Sequence, residues 1–183
     1  MTGKFRKICI VLLIGAVLFH RPLLKKYFVL DYRQTIIDFS RDHRMNPALV
    51  SAIVFTESGF NPAAESHKGA VGLMQIMPTT GQWVAEQMML RNFTPTELTN
   101  PDINLKIGIW YLAYLRQYFH QNDYLALASY NAGHRYVSGW VEDGIWNGDT
   151  VKIEQIPFPE TKKYVLKVLL LKKVYGYLYP ELS

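Results

Sequence analysis

"ESGFNPAAESHKGAVGLMQIMP", from Glu57 to Pro78, joins a carboxylate, a turn punctuated by glycines, and two methionines around a glutamine. Just upstream, Asn46-Pro47 marks a helix start, because the amide suits the cap and proline suits the first helical position. The run "ALVSAIVFTES" carries that helix to Gly59, which ends it and turns the chain. Glu57 lies four residues beyond Ile53 and eight beyond Leu49, a spacing that places all three on one helix face. A carboxyl at the end of a core-facing stripe is desolvated, which raises its pKa and holds it protonated near neutral pH. A general acid needs that property. An exposed glutamate on the helix rim, paired with a lysine, fits the same spacing equally well.

The residues that follow add to the choice. Gly69 and Gly72 have no side chain, so a ligand can approach their backbone. Met74 and Met77 flank the amide of Gln75, and sugars present both apolar ring faces and hydroxyls to such a mixture. Taken singly, each methionine reads more simply as core filler. Glu65 is tempting as a second carboxylate across a scissile bond, but it sits in a polar loop and reads as a solvated charge.

Outward from this stretch the pattern is helical. Helices are expected over Tyr32–Arg44, Thr79–Leu90 and, after a second Asn-Pro start at Asn100-Pro101, to about His120. The last of these has an aromatic side of Trp110, Tyr111, Tyr114 and Tyr118. Asp123 is expected to cap "YLALASYNAG", with Gly133 as a left-handed stop. A short helix over Arg135–Val141, a loop over Asp143–Pro159 and a long final helix over Glu160–Tyr179 complete the chain. Strand signals are weak, so the fold class is mainly α.

The 183 residues, 49% hydrophobic and 19% charged, suit one folded domain with a sizeable core. The formal charge of +5 is concentrated in residues 1–30, which hold six Lys/Arg and no acid. The remainder balances fourteen basic residues against fifteen acidic ones, which argues against a nucleic-acid partner, whose basic face belongs on the folded part. The single cysteine, Cys9, excludes an intrachain disulfide and a multi-cysteine zinc site. The five histidines have no metal-ligand spacing, so no metal site is expected.

"KFRKICIVLLIGAVLFHRP" has a basic start followed by twelve apolar residues, Ile8–Phe19. Twelve matches a signal-peptide core, whereas a dedicated span takes about 20. No small-x-small cleavage site follows, so residues 1–30 are read as an export signal retained as a membrane anchor, with a cleaved signal as the second reading. Leu23, Leu24 and Tyr27–Leu30 are expected to extend it while Lys25 and Lys26 snorkel. Either reading puts the domain of residues 31–183 on the cell-envelope side of the cytoplasmic membrane. The final helix, "TKKYVLKVLLLKKVYGYLY", mixes basic and apolar residues and is read as a core helix with a lysine-rich outer side rather than one lying on a membrane.

Four segments in order, ESGFNP, GAVGLMQIMP, SYNAG and IPFPETKKYV, resemble the catalytic domain of soluble lytic transglycosylases, relatives of goose-type lysozyme. The resemblance covers roughly Asn46 to Tyr179 and implies a lysozyme-like (goose-type) single globular domain behind the N-terminal membrane segment. It implies that Glu57 is the sole catalytic acid/base, with no second carboxylate and no cofactor. It further implies that Ser66 lies near the reacting sugar, and that Gly72, Leu73, Met74, Gln75 and Met77 line the glycan cleft. Tyr130 matches a tyrosine close to the catalytic glutamate, Asn131 its sugar-contacting or structural neighbour, Glu160 a residue at the substrate end of the cleft, and Tyr164 an aromatic that follows it. Ser129 stands where the family has alanine. The activity implied is cleavage of peptidoglycan glycan strands between N-acetylmuramic acid and N-acetylglucosamine, with a 1,6-anhydro end as product. A hydrolytic muramidase on the same fold and a non-catalytic, membrane-anchored peptidoglycan-binding protein are the alternatives.

Overall fold

Helix α2 (Pro47–Ser58) is apolar on every side, and every residue from Ala48 to Val54 is buried. A helix without a polar face has to sit inside the other helices, and this one does. It is flanked by α1 (Arg33–Asp42) and, most extensively, by the long last helix α7 (Pro159–Leu178). Between them the chain runs through α3 (Pro78–Gln87), α4 (Pro101–Tyr118), α5 (Asp123–Ala132) and α6 (His134–Glu142). The computed structural model describes residues 20–182, and the apolar run Ile8–Phe19 lies outside them. Among the described residues there is no strand, only two isolated bridges, Glu65 with Val71 and Val71 with Ile76, that close one loop.

The cap chemistry holds where the motif is local. Asn46 Oδ1 accepts from the Leu49 amide at 3.0 Å, and Asn100 Oδ1 from the amides of Asp102 and Ile103. Gly59 closes α2 in the left-handed region, at φ 60° and ψ 31°. Two expectations are corrected. Asn122, not Asp123, caps α5, through the amides of Tyr124 and Leu125. Gly133 ends α5 at φ 94° and ψ 138°, outside the left-handed helical region, because it also starts α6 and a helix start takes extended ψ.

Leu24, Phe28, Val29 and Leu30 pack on the core rather than extending an apolar anchor. Tyr175 on α7 and Tyr179 just past its end donate hydrogen bonds to the carbonyls of Val29 and Phe28, at 2.8 and 2.7 Å. Trp140 and Trp146 are core residues.

Candidate active site

Helix α2 delivers Glu57 on its last turn. Leu49 and Ile53, beneath it on the same face, are buried, and the Gly59 turn leaves the carboxyl half-buried at the rim. Burial pushes that carboxyl up to about 7, while the Tyr164 hydroxyl and the Lys167 ammonium on α7 favour its ionised form and hold the rise in check. Tyr164 is buried and its hydroxyl completes no hydrogen bond of ordinary geometry, so its hold on Glu57 is a loose one. Tyr130 on α5 and Tyr164 are both kept well above the usual tyrosine range, first by burial and then by the charge of Glu57. Both therefore stay neutral at physiological pH, and of the three groups only Glu57 exchanges a proton near neutrality.

The loop after α2 forms the wall beside this carboxyl, and four polar side chains pin its backbone. Ser58 donates to the Leu73 carbonyl at 2.8 Å, one residue from Glu57. Tyr130 donates to the Met74 carbonyl at 2.8 Å. Gln75, at φ 48°, turns its amide back onto the carbonyls of Ala64 and Gly72. Asn104, fully buried on α4, takes three bonds at once: its oxygen accepts from the Met74 amide, and its nitrogen donates to the carbonyls of Val71 and Leu98. A buried amide that satisfies three backbone groups holds a loop more firmly than apolar contacts can, because each group would otherwise be stranded away from water.

This geometry sorts the residues expected to line a cleft. Leu73 and Met74 are fully buried, and the Met74 sulfur lies where a Cβ on Gly108 would stand, so their side chains belong to the core and only their backbone serves the wall. Gly72 is explained by packing rather than by ligand approach: at φ 82°, a Cβ there would stand 2.2 Å from Asn104 Nδ2. Met77 is exposed and Gln75 half-buried. Ser66 accepts from the Ala70 amide at 3.0 Å and shapes the preceding turn. Asn131, exposed beside Tyr130, accepts from the buried Thr161 hydroxyl at 2.8 Å and so ties the end of α5 to the first turn of α7, where Glu160 is exposed. Glu65 is exposed on the loop.

A cavity of about 240 Å³ lies among Gln75, Met77, Thr80, Tyr111, Tyr130 and Asn131. A second, of about 540 Å³, shares Thr80, Tyr111 and Gly133 with it and adds Trp83, Tyr114 and His134. Together they form a groove floored by ring contacts from Tyr130 to Tyr111, Trp83 and Tyr114. Of the aromatic side of α4 read from the sequence, Tyr111 and Tyr114 border the groove and Trp110 does not, whereas Asn104 and Trp83 were missed. A larger cavity, about 630 Å³ between the end of α1 and α4, is not lined by Tyr130, and Glu57 lines none of the three cavities.

Residues 34–150 match the family model described as the transglycosylase SLT domain. The chain is 36% identical over 154 residues to the soluble lytic murein transglycosylase of Salmonella typhimurium, covering 83% of this chain and 24% of that protein. It is 45% identical over 73 residues to the endo-type membrane-bound lytic murein transglycosylase A of Klebsiella pneumoniae, covering 39% and 36% of the two chains. The crystal structure of the 70 kDa soluble lytic transglycosylase of Escherichia coli superposes with a TM-score of 0.79 at 35% identity, over 84% of this chain and 25% of that one. The chain thus spans about a quarter of the length of these soluble relatives.

Proposed function

Because the chain belongs to the transglycosylase SLT domain family, we propose that it is a peptidoglycan lytic transglycosylase with Glu57 as its only acid/base. The observation that carries this reading is one half-buried carboxyl, raised by burial to about 7, whose charge acts on two neutral tyrosines, one of which, Tyr130, lines the aromatic groove. A single group that must first give a proton and then take one works best with a pKa near the working pH.

Protonated Glu57 gives its proton to the oxygen linking C1 of N-acetylmuramic acid to N-acetylglucosamine, and the C1–O bond breaks. The acetamido oxygen of the muramyl residue takes up the developing positive charge at C1. Ionised Glu57 then removes the proton of the muramyl C6 hydroxyl as that oxygen bonds to C1 and the acetamido oxygen leaves. The 1,6-anhydro ring closes and Glu57 ends protonated, ready for the next strand. Tyr130, Gln75, Met77 and Asn131 position the glycan, with Ser66 shaping the loop and Glu160 and Tyr164 bordering the far wall. Mass analysis of digested peptidoglycan tests the reaction: anhydro ends, one water lighter than reducing ends, are expected, and reducing muramic ends alone would make the protein a hydrolase.

The proton cycle sets a pH dependence. The free enzyme must hold Glu57 protonated to start, so kcat/KM is expected to fall as pH rises through about 7. Lys167 favours the ionised carboxyl. Lys167→Met removes that pull and is expected to move the falling limb to higher pH, as read from initial rates across a buffer series. A limb that moves to lower pH, or stays in place, contradicts the assignment.

The twelve-residue apolar run Ile8–Phe19 behind three basic residues supports an exported protein held at the outer side of the cytoplasmic membrane. Among the described residues no helix is long and apolar enough to cross a membrane.

A further inference from the structure

Helix α7 turns one face to the core and another to solvent, and the solvent face has an unusual composition. Lys163, Leu166, Lys167, Leu170, Lys173 and Tyr177 recur at intervals of three and four, so they form one stripe along the helix, and all six are exposed. Leu166, Leu170 and Tyr177 are 44%, 63% and 47% exposed, where a solvated helix face carries polar residues. From Lys162 to its end at Leu178 the helix contains no acidic residue. Lys162 and Lys172, off the stripe, pair with Glu154 and Asp123, whereas the three stripe lysines form no ion pair with a described residue.

The stripe meets the N-terminal end of the described chain at Tyr177. The Arg21 guanidinium lies 4.3 Å over that ring, and His20 stacks on it and hydrogen-bonds its hydroxyl. The same N-terminal segment, helical over residues 20–25, exposes Leu23, Tyr27, Lys25 and Lys26. The chain therefore reaches this surface directly from the apolar run that ends at Phe19.

We infer that the outer stripe of α7, together with the segment 21–27, seats the domain on an anionic phospholipid surface. The inference rests on the anchor reading above. An apolar segment and a basic patch are two weak membrane signals that become strong when joined, since the first holds the second at high local concentration. Leucines between lysines enter the interface while the ammonium groups snorkel to lipid phosphates. Lys167, on the edge of the stripe, also acts on Glu57. Seating this face therefore sets Glu57 beside the bilayer, toward glycan strands close to the membrane.

The full chain with Cys9→Ser, carrying an environment-sensitive dye on Leu170→Cys or on Glu86→Cys, is reconstituted with vesicles of phosphatidylcholine, with or without phosphatidylglycerol. Glu86 is exposed on α3, a helix without extensive contact to α7. The expected result is flotation with the vesicles, with the position-170 emission shifting to the blue and lost to brominated lipid only when phosphatidylglycerol is present. The position-86 dye stays water-like. Lys163→Glu combined with Lys173→Glu abolishes the shift while flotation persists. A protein that floats with a water-like dye at position 170 overturns the seat and leaves the anchor standing. A protein that does not float overturns both.

Discussion

Glu57→Gln is expected to lower clearance of purified peptidoglycan by roughly a thousandfold or more, because one side chain supplies both proton transfers. The same substitution is expected to make the fold more resistant to urea at alkaline pH. The carboxyl titrates at 4.5 when unperturbed and at about 7 in the fold. Below 4.5 it is protonated in both folded and unfolded chains, and its contribution is intact. Between 4.5 and about 7 the unfolded chain releases the proton while the folded chain keeps it, so stability falls with rising pH; above about 7 the loss is complete. At about 1.4 kcal/mol per pH unit the loss is at most roughly 3.5 kcal/mol, and less to the extent that the half-buried carboxyl keeps solvent contact. Glutamine never ionises and escapes it. Urea melts at about pH 4 and about pH 9 read this directly: the variant should gain on the parent only at the higher value. Equal gains at both, or parental clearance of cell wall, would remove Glu57 from its role.

Asn104→Ala is expected to cost about 4 kcal/mol, from three backbone groups left buried without partners at roughly 1–3 kcal/mol each, partly relieved by water. Those groups are the amide of Met74 and the carbonyls of Val71 and Leu98. The midpoint of urea unfolding should drop accordingly. Activity at low temperature, where the variant remains folded, should also drop about tenfold, because the released loop carries Gln75 and Met77 and receives the Tyr130 hydroxyl. Gly72→Ala should reproduce both effects from the other side of the contact, since its Cβ would displace Asn104 at a backbone angle that favours glycine. An Asn104→Ala variant that melts with the parent would falsify this account of the loop.

Much of the helical frame is legible without coordinates. The starts at Asn46-Pro47 and Asn100-Pro101 and the stop at Gly59 are local chemistry, fixed by a few neighbouring atoms, and they stand where the sequence places them. Misreadings arise where one residue serves two elements or a distant one. Asp123 has the chemistry of a cap, yet Asn122 precedes it and takes the amides of Tyr124 and Leu125. Gly133 serves two helices at once. Leu24 and Phe28–Leu30 are as apolar as an anchor extension, and only the rings of α7 assign them to the core. Asn104 leaves one trace in the sequence, a lone amide inside the apolar run "INLKIGIW". That trace does not name its partners, which lie 30 and more residues upstream in the case of Met74 and Val71.

Within "ESGFNPAAESHKGAVGLMQIMP" the division is clear. Helix periodicity is enough to put Glu57 above Leu49 and Ile53, because that relation depends on one helix alone. The protonation of Glu57 depends on how much water α5, α7 and the loop exclude together, and no local pattern encodes that sum. The same holds for its neighbours. Gly72 answers to Asn104, Met74 to Gly108 and Tyr130, and Gln75 to its own loop, so residues that look alike as a cleft wall divide into core, staple and surface only when distant helices meet.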